Sequence, residues 1–329
     1  MCTYNGGRYL REQLESISAQ ARTPDELVIC DDRSADTTRE VVESFAASAP
    51  FAVRFYVNEE NLGSTKNFER AIGLCEGDVI ALSDQDDVWH PDKLRRVEAA
   101  LSDGRAGLAF TDGEVVDEQL RPLGWRTWQL IRFGEKELQQ FEAGGAFDVL
   151  LDHNVVTGAT LAFRAGFRDL VLPIPTDIVH DGHRVIHDGW IALLISAVAE
   201  LAYVPELLIK YRQHPRQQLG VRSGLGAEGE RRETGVLVPA RNAARRSNSF
   251  DAEIHYLQTV LERLATRTDP ARSRGARTKL EAALRHLCAR AGMPEARLRR
   301  VPFVLRELLT LRYHRYSNGI RSAAKDLWL

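Results

Sequence analysis

The stretch Val79-Ile80-Ala81-Leu82-Ser83-Asp84-Gln85-Asp86-Asp87-Val88-Trp89 begins with an apolar run typical of a buried parallel strand. Three carboxylates, those of Asp84, Asp86 and Asp87, follow that run. Carboxylates this close repel one another and raise each other's pKa unless solvent, cationic side chains or a metal ion offsets the repulsion. Mg²⁺ is usually held by a few carboxylates together with phosphate oxygens of a substrate. The stretch therefore predicts a metal and phosphate site at a strand end or, as the alternative, a solvated acidic turn.

The composition is that of an ordinary globular protein. The length of 329 residues is enough for about two domains, and the residues are 44% hydrophobic and 27% charged. The net charge of −2 predicts no general attraction to nucleic acid. The four cysteines lie far apart without a C-x-x-C pair, which argues against a disulfide framework or a zinc site and favours a reducing cytoplasm. Residues 190–199, the most apolar segment, are too short to span a bilayer, and the N-terminus does not resemble a signal peptide. We expect a cytoplasmic protein, soluble or peripheral at the inner face of the cell membrane.

Apolar runs and helical patterns alternate through the N-terminal part of the chain. Residues 26–30 and 51–57 have the pattern of strands, and the apolar spacings within residues 8–21 and 68–75 are typical of helices. This β-α-β-α-β order predicts a doubly wound, mostly parallel α/β sheet, in which ligands bind at the carboxyl ends of the strands. The sequence therefore predicts that three polar segments converge on one crevice, namely Thr3-Tyr4, Asp31-Asp32 and Asp84 to Asp87.

Glycine-rich phosphate loops do not follow these predicted strands. Both the G-x-G-x-x-G fingerprint of dinucleotide-binding folds and the G-x-x-x-x-G-K-[ST] loop are missing from the sequence there. If the crevice binds a nucleotide, its phosphates must be neutralised by a metal ion and by cationic side chains such as Lys66 and Arg212.

Taken together, these segments resemble family 2 glycosyltransferases of the GT-A fold. The matching segments, in the family's order, are Thr3-Tyr4-Asn5-Gly6, the run from Val28 to Thr37, Asn61-Leu62-Gly63 with Asn67, and the run from Ser83 to Trp89. Further along, His187-Asp188-Gly189-Trp190 and Tyr211-Arg212-Gln213-His214 resemble the bacterial rhamnosyltransferase-like branch. The resemblance covers roughly residues 1 to 220.

The resemblance implies an inverting hexosyltransferase that uses a nucleotide-diphosphate sugar and Mg²⁺ or Mn²⁺. Asp188 would be the general base, and the ribose and the metal would be bound by the D-x-D motif. The residues that the resemblance and the charge argument assign to nucleotide-sugar binding are Thr3, Tyr4, Asn5, Asp31, Asp32, Lys66, Asp84, Gln85, Asp86 and Arg212. Those assigned to the metal are Asp84, Asp86 and His214, and those assigned to the acceptor side are Gly158, Trp190 and Asp87.

Asp188 precedes a predicted apolar helix that starts after Gly189, so its carboxylate lies at or just before the helix N-terminus. One role for a carboxylate there is to cap the helix. The resemblance favours a general base, which takes the proton of an acceptor hydroxyl as the oxygen attacks the anomeric carbon. A similar pattern, His180-Asp181-Gly182-His183, lies seven residues upstream, but Trp190 and the apolar helix favour Asp188.

His214 and Gly158 each have two interpretations. A neutral imidazole is a competent metal ligand, as the resemblance implies for His214, and a structural role is the alternative. Gly158 lies in a predicted strand over residues 154–163, where a glycine lets the backbone approach a ligand or a neighbouring element closely.

Two segments depart from the family pattern or lack a clear period. The family has a full apolar strand before Thr-Tyr-Asn-Gly, whereas here the motif follows Met1 and Cys2, so we expect a truncated first strand, unpaired ladder groups on its neighbours and weakened nucleotide binding.

Residues 123–147 show no period and predict a flexible or lid-like region. Their aromatic side chains are expected to pack within the protein, with stacking on a sugar as the alternative.

The C-terminal part of the chain is predicted to be helical. Apolar spacings at residues 254–264 and 280–287 indicate amphipathic helices. Residues 289–329 carry nine Arg and Lys against three Asp and Glu, interleaved with apolar side chains. A basic amphipathic helix of this kind suits an anionic membrane surface; the alternative is a helical cap that packs on the catalytic domain.

The sequence as a whole predicts an α/β GT-A fold with an α-helical C-terminal extension. We expect residues 1–224 to form the nucleotide-sugar-binding and catalytic domain and residues 225–329 a mobile loop plus a helical C-terminal region. The loop, predicted over residues 217–233, is expected to order over bound donor. The resemblance implies as partners a dTDP- or UDP-sugar, with rhamnose favoured, and a cell-surface polysaccharide or lipid-linked glycan acceptor; no base-reading motif predicts nucleic acid.

Two other classes of function stay open on the sequence. A truncated paralogue would bind nucleotide sugar without transferring it. A sugar-phosphate nucleotidyltransferase would also use metal carboxylates on an α/β sheet, but it should carry a glycine-rich basic loop directly after the first strand. Asn5-Gly6-Gly7-Arg8 is a short match to such a loop.

Overall fold

The structure, a computed structural model, describes residues 1–180, 182–217, 248–294 and 296–328. The described residues divide into two compact units, the first of residues 1–176 and 186–217 and the second of residues 177–185 and 248–328. The expected domain boundary at residues 224 and 225 lies outside the described residues. So does the expected mobile loop, except for Gln217, and both stay predictions.

Within the described residues, the first unit contains a three-stranded sheet and a six-stranded sheet, and the second a two-stranded ribbon. The strands are β1 (Cys2–Thr3), β2 (Glu26–Asp31), β3 (Ala52–Val57), β4 (Val79–Ala81), β5 (Val88–Trp89), β6 (Ala106–Val116), β7 (Pro122–Arg126), β8 (Leu161–Arg164), β9 (Val179–His180), β10 (His183–Arg184) and β11 (Glu200–Arg212). The smaller sheet, β1-β2-β3, is fully parallel, as predicted. The larger sheet has the order β4-β8-β6-β11-β5 with β7 paired to β6, and there only β6 and β11 pair in parallel.

Helices flank these sheets in the first unit and make up most of the second. In the first unit they are α1 (Leu10–Ser18), α2 (Thr38–Ala46), α3 (Ser64–Leu74), α4 (Lys93–Leu101), α5 (Thr127–Leu130), α6 (Glu135–Glu142), α7 (Ala146–Asp152), α8 (Arg168–Val171) and α9 (His187–Ser196). In the second unit they are α10 (Asn248–Arg267), α11 (Pro270–Ala291), α12 (Arg297–Leu309), α13 (Arg312–Tyr316) and α14 (Ile320–Trp328). Among the described residues, no helix combines the length and the apolar character needed to cross a membrane.

The apolar spacing of α1 explains how the parallel sheet is covered. Leu10, Leu14 and Ile17 recur at helical spacing and are fully buried against the β2 side chain Ile29 in one core cluster. Burying side chains of this size stabilises the fold by about 1.5 to 3 kcal/mol each. The predicted first helix is therefore confirmed, and its apolar side packs on the parallel sheet.

The ends of β1, β2 and β4 meet at one edge of the first unit, as predicted. The backbone N–H of Cys2 donates to the carbonyl of Ser83 at 3.3 Å, and that of Asp32 donates to the carbonyl of Thr3 at 2.8 Å. β1 is short, but its residues pair in register with Cys30 and Asp31 of β2. These hydrogen bonds bring the three polar segments together.

Residues 123–147 correct one prediction. In place of a flexible or lid-like region, they form β7, α5, α6 and the start of α7. Trp128, Phe133 and Phe141 are buried around Phe110 of β6, with ring centroids of Phe110 and Phe133 5.3 Å apart. The packing interpretation of these aromatic residues was right, because the apolar face of β6 needs covering and large rings bury the most surface there.

The predicted strand over residues 154–163 is wrong in its first half. Gly158–Thr160 form a short 3₁₀ turn, and β8 begins only at Leu161. The side chain of Asn154 accepts the backbone N–H of Val156 at 3.0 Å, and the N–H of Gly158 donates to Asp188 at 3.0 Å in place of a ladder partner. Side-chain hydrogen bonds to nearby backbone of this kind compete with strand pairing.

The second unit is a helical assembly with a polar centre. The predicted amphipathic helices are confirmed as α10 and α11, whose Leu264 and Leu280 are fully buried. His286 lies 2.7 Å from Glu307, and Arg290 donates two hydrogen bonds to Asp326 at 2.6 and 2.9 Å. Because these polar and charged groups are partnered, they tie α11 to α12 and α14.

Candidate active site

A cavity of about 430 Å³ lies in the first unit where the three strand ends meet the start of α9 and the end of β11. Ten of the predicted site residues line it: Thr3, Tyr4, Asp32, Asp84, Gln85, Asp86, Gly158, Asp188, Arg212 and His214. A cavity of this size, with a few convergent polar groups, is what a small-molecule ligand needs.

Asp31 and Asp32 have different places at the end of β2. Asp32 lines the cavity and accepts the backbone N–H groups of Leu62 and Gly63 at 2.7 and 2.8 Å, which fixes that loop against the strand. Asp31 lies behind the cavity wall, where it accepts the hydroxyl of Thr3 at 2.7 Å. Asp31 therefore orients the wall, while Asp32 faces the ligand space.

Tyr4 and Gln85 are joined by two reciprocal hydrogen bonds. The N–H of Tyr4 donates to Gln85 Oε1 at 2.8 Å, and Gln85 Nε2 donates to the carbonyl of Tyr4 at 3.1 Å. Gly6 leaves room for this pair, because a Cβ there would overlap the Gln85 amide and displace it. Asn5 lies outside the cavity lining and accepts the N–H of Ala35 at 2.9 Å. The backbone of Tyr4 is thus fixed by Gln85, and its half-exposed ring lies on the cavity lining.

The acidic stretch is not a solvated turn, since Ser83 and Asp87 are each only 1% exposed. Burial, followed by the charges of Asp86 and Asp188, raises the pKa of Asp84 to about 7. Burial, then Asp86 and Asp84, also raises the pKa of Asp87 well above its usual value. Asp87 lies behind the cavity lining, where it accepts the N–H of Arg212 at 3.1 Å. The cavity floor therefore carries carboxylates whose ionisation is opposed by burial and by one another.

The side chain of Lys93 is buried behind the cavity lining, and the sequence analysis gave this residue no role. Its Nζ donates to the carbonyl of Ala159 at 2.6 Å and lies 3.8 Å from the ring centroid of Trp89. Burial lowers its pKa to about 7, against the charges of Asp87 and Asp84, which raise it. Lys93 thus links the acidic stretch to the turn that carries Gly158.

His214 lies against Asp86, with its Nε2 2.8 Å from Oδ2 of that carboxylate. Its Nδ1 accepts the N–H of Arg216 at 3.2 Å, so the neutral ring carries its proton on Nε2 and donates to Asp86. Coordination of a metal through Nε2 would require that proton to leave. This geometry favours a hydrogen-bonding role for His214, in which it orients Asp86.

Arg212 is buried at the cavity wall with its guanidinium already engaged. It donates to the carbonyls of Asp86 and Glu118 at 2.7 and 2.5 Å, pairs with Glu12, and stacks over the ring of Tyr9 at 4.7 Å. The first of these contacts fixes the backbone of the D-x-D segment at Asp86, whose carboxylate is held by His214.

A divalent cation fits the carboxylates in part. Among the residues that the structure describes, no group of three Asp, Glu, His or Cys side chains converges closely enough to hold a metal ion unaided. Asp84 and Asp86 both line the cavity, and the raised pKa of Asp84 shows a negative site that a cation would relieve. Mg²⁺ and similar ions commonly take one or two carboxylates and complete their shell with substrate phosphates and water. Asp84 and Asp86 would be the protein ligands of such an ion.

Asp188 faces the cavity from the first turn of α9, which begins at His187 and not after Gly189 as predicted. Its Oδ2 accepts the N–H of Gly158 at 3.0 Å, and its Oδ1 accepts Asn154 Nδ2 at 3.2 Å and the N–H of Gly189 at 2.6 Å. Ile186 occupies the cap position, so Asp188 is not the helix cap. Burial raises its pKa to about 6, although those hydrogen bonds lower it. A carboxylate held in place with a pKa near neutrality is suited to accept a proton.

His187 also lines the cavity, although the sequence analysis named it only as part of a motif and gave it no role. Its ring stacks on Phe68 with centroids 4.1 Å apart, and burial lowers its pKa to about 3, so the imidazole is neutral. A Cβ added at Gly158 would lie 2.8 Å from its Nε2. Gly158 therefore lets the turn approach His187 and Asp188 at the same time, as the predicted close approach of backbone required.

We predict that Gly158→Ala lowers the midpoint of thermal unfolding and the activity together. The added methyl group must displace the ring of His187, whose Nε2 would be only 2.8 Å from it, a misfit that costs about 1 to 3 kcal/mol. Differential scanning fluorimetry and an initial-rate assay measure both effects. Gly166→Ala is the matched control, because a Cβ there has no neighbour within 4 Å. Equal behaviour of the two variants would show that the turn has room.

Besides Asn5, Asp31 and Asp87, two more predicted site residues lie outside the cavity lining. Lys66 pairs with Glu69 at 2.8 Å on α3, and Trp190 is fully buried and donates its indole N–H to the carbonyl of Val171 at 2.8 Å. In the upstream copy of the His-Asp-Gly pattern, Asp181 lies outside the described residues. His180 of that copy belongs to the second unit, where it lies 2.8 Å from Glu253.

Several lining residues were not assigned a role from the sequence. Asn61, Gly63 and Asn67 stand in the motif that carried the resemblance, and this was a usable signal. Arg216 and Thr157 have no local signal, because nothing in their neighbours distinguishes them from ordinary loop residues. The remaining lining residues without an assigned role are Cys2, Ser64, Phe68, Ile186, His187, Tyr211 and Gln217.

Comparison with known proteins places this site in a family. Residues 1–170, just over half of the chain, match the family described as Glycosyl transferase family 2, and the chain belongs to that family. An uncharacterized protein of Mycobacterium tuberculosis is 26% identical over 227 residues, which are 64% of this chain and 57% of that protein. The chain thus spans little more than half the length of this curated relative.

Two further similarities bear on the branch and on the fold. A dTDP-rhamnosyl transferase, RfbG of Shigella flexneri, is 38% identical over 99 residues, which are 29% of this chain and 34% of that protein. The crystal structure of residues 1–349 of S. aureus TarS matches 98% of this chain and 88% of its own with a TM-score of 0.50 and 16% identity. The second likeness concerns the fold alone, and with the family match it confirms the predicted GT-A class.

Proposed function

We propose that this protein is an inverting glycosyltransferase that moves a sugar from a nucleotide-diphosphate donor to a hydroxyl group of an acceptor. The observation that carries the proposal is the convergence of Asp84 and Asp86, from the end of β4, with Asp188, from the start of α9, on one cavity. The first pair suits the donor's ribose, diphosphate and cation. The third carboxylate suits a proton acceptor on the other side of the transferred sugar.

Asp188 would act as the general base in a single displacement. The acceptor oxygen forms a bond to the anomeric carbon as the bond from that carbon to the diphosphate oxygen breaks, and the diphosphate leaves with the electron pair. The proton of the acceptor hydroxyl passes to Asp188. Hydrogen bonds from Gly158 and Asn154 keep the carboxylate oriented, and attack from the face opposite the leaving group inverts the anomeric configuration.

The donor would be held by the opposite wall of the cavity. Asp32 would accept the N3–H of a pyrimidine and the ring of Tyr4 would stack on the base, a proposal supported by their places on the cavity lining and by the hydrogen bond from Tyr4 N–H to Gln85. Mg²⁺ or Mn²⁺ bound by Asp84 and Asp86 would neutralise charge on the departing diphosphate. Arg216, on the lining of the same cavity, is a further cation for that group.

The donor is proposed to be a dTDP- or UDP-sugar, with rhamnose favoured. The partial similarity to the dTDP-rhamnosyl transferase of Shigella flexneri supports rhamnose as the transferred sugar. The proposed acceptor is a hydroxyl of a cell-surface polysaccharide or of its lipid-linked precursor. We further propose that Asp87 and Trp190 act on the acceptor side through packing, since both lie behind the cavity lining.

Calorimetric titration tests the donor site first. dTDP, UDP and GDP are titrated with Mn²⁺, with Mg²⁺ and with EDTA, and the corresponding nucleotide sugars are then assayed for release of nucleotide diphosphate with and without glycan acceptors. Binding with metal-dependent, acceptor-dependent release supports transfer. Binding without release indicates the non-catalytic alternative, and release of pyrophosphate from nucleotide triphosphate and sugar phosphate indicates a nucleotidyltransferase. Absence of all binding would contradict the donor site.

We predict that kcat falls about tenfold for each pH unit below about 6 and is level above it, as long as the protein stays folded. Asp188 has a folded-state pKa raised by burial to about 6, and only its ionised form accepts a proton. Initial rates at saturating donor and metal, with the thermal midpoint recorded at each pH, measure the profile. A rate that stays constant well below pH 6 would mean that Asp188 is not the group that takes the proton.

A further inference from the structure

An apolar stripe runs along the exposed side of α12 in the second unit. Its residues lie within a sector of roughly 100° of the helix surface, at 100° per residue. The members of this stripe, called the α12 stripe below, are Leu298, Val301, Pro302, Leu305 and Leu309. All are exposed, Leu298 by 88% and Leu309 by 85%, whereas Val304 and Glu307 on the opposite side of the helix are buried.

Arginines border the α12 stripe along both edges. Arg297 lies on one side of the sector and Arg299 and Arg306 on the other, and all three are exposed. The acidic groups of the same helices are used inside the unit, since Glu307 is buried and Asp326 partly so, and each pairs with an arginine of this unit. The described surface around the stripe is therefore positively charged.

α14 repeats the arrangement on a smaller scale. Ile320, Ala324 and Trp328 follow one another at i, i+4 and i+8 and are exposed, Ile320 by 69% and Trp328 by 76%. Arg321 and Lys325 are exposed beside them. A tryptophan with cationic neighbours is typical of the level at which a protein meets the lipid headgroups.

We propose that α12 and α14 form a docking surface for an anionic lipid bilayer. Apolar side chains of this exposure enter the boundary between headgroups and acyl chains, and the bordering arginines reach the lipid phosphates. A second copy of the chain fits the surface less well, because a symmetric contact would place these arginines against one another. The proposal is independent of the glycosyl transfer reaction, so it is tested without nucleotide or acceptor.

Vesicle flotation of the full chain tests the proposal. Vesicles of phosphatidylcholine alone are compared with vesicles of phosphatidylcholine and phosphatidylglycerol in equal amounts. We expect binding to the anionic vesicles and little to the neutral ones, with the binding weakened as salt screens the surface. Equal binding to both, or binding to neither, would overturn the proposal.

Two pairs of substitutions separate the apolar and the charged parts of the surface. Leu298→Ser with Leu309→Ser should reduce partitioning about tenfold or more. Leu207→Ser, which removes another exposed leucine, should leave it unchanged.

Arg299→Gln with Arg306→Gln should reduce partitioning roughly thirtyfold, the loss that corresponds to about 1 kcal/mol for each basic residue near an anionic surface. Arg272→Gln with Arg274→Gln removes the same charge from exposed positions of α11 and is the matched control. If both arginine pairs reduced partitioning equally, the loss would follow from the net charge of the protein alone, and the assignment to α12 would be wrong.

Light scattering on the same proteins tests whether a second copy of the chain, in place of a lipid bilayer, binds the α12 stripe. If the leucine pair converts an oligomer to a monomer while vesicle binding is unchanged, the α12 stripe is the contact with a second copy and the lipid proposal is wrong. If the oligomeric state is the same in all variants while vesicle binding falls, the proposal is supported.

Discussion

Replacing Asp188 with asparagine is expected to lower kcat for glycosyl transfer by about a thousandfold and to change donor affinity by less than about twofold. The amide has the size of the carboxylate but cannot take the proton of the acceptor hydroxyl. Asp188 contacts Gly158, Asn154 and Gly189, none of which the proposed nucleoside position requires. Initial rates with saturating acceptor give kcat, and calorimetric titration with UDP or dTDP gives the affinity.

Asp181→Asn is the control for that variant, because it makes the same change in the neighbouring His-Asp-Gly sequence. It should keep normal turnover. The thermal midpoint of Asp188→Asn must be recorded as well, since the asparagine could turn an N–H toward that of Gly158. Normal turnover by Asp188→Asn would show that another group removes the proton, whereas weakened donor binding would show that Asp188 also shapes the donor pocket.

Asp86→Ala is expected to lower kcat/KM by at least about a hundredfold and to abolish the difference in nucleotide affinity between Mn²⁺ and EDTA. Asp86 is one of two carboxylates on the cavity lining that fit a cation, and its Oδ2 is the partner of His214. Asp86→Asn keeps the shape and the hydrogen-bond acceptor, so it separates loss of charge from loss of the His214 contact. Titration of UDP and dTDP with each metal and with EDTA measures the effect.

Asp25→Ala is the matched control for the loss of a carboxylate. Asp25 is on the surface, where its side chain is 77% exposed and pairs with Arg22. We expect it to leave both binding and turnover unchanged. If the wild-type protein bound nucleotide equally well in Mn²⁺ and EDTA, the cation proposal itself would fail before the variant was made. If Asp86→Ala kept the metal effect, Asp84 would have to hold the ion without it.

Much of the parallel part of the fold could be predicted because its signals are local. The apolar run of β2 and the spacing of Leu10, Leu14 and Ile17 on α1 reflect burial at strand and helix periods, and both elements form where expected. The direction of the remaining strands could not be predicted in the same way. β8 pairs antiparallel with both β4 and β6, partners that are far away in the chain, and no local pattern records such pairing.

The region of residues 123–147 shows a different limit. Its aromatic residues have no period because they come from several short elements that cover one face of β6. Irregular spacing suggested flexibility, whereas the buried rings of Trp128 and Phe133 make T-shaped contacts with centroids 4.8 Å apart. Periodicity detects one long element against one surface, and it fails when several short elements share the surface.

Within the site, the polar strand ends could be predicted and the fine roles could not. Asp31 and Asp32 are adjacent and identical in chemistry, but Asp31 ends β2 and bonds the Thr3 hydroxyl, whereas Asp32 follows the strand and lines the cavity. Lys66 and Arg212 were both expected to meet phosphates. The first pairs with Glu69 on its own helix, and the second is enclosed by the carbonyl groups of Asp86 and Glu118.

The sequence by itself determined the order of the elements, the family and the chemical types at the strand ends, because these depend on local periodicity and on motifs of contiguous residues. Tertiary structure alone decided which of those groups share a cavity and what state each is in. Asp188 acquires a pKa of about 6 because folding buries it, and it keeps its orientation because the N–H of Gly158, thirty residues away, is brought to 3.0 Å. Burial and long-range contacts of this kind exist only in the folded chain, and the proposed chemistry depends on them.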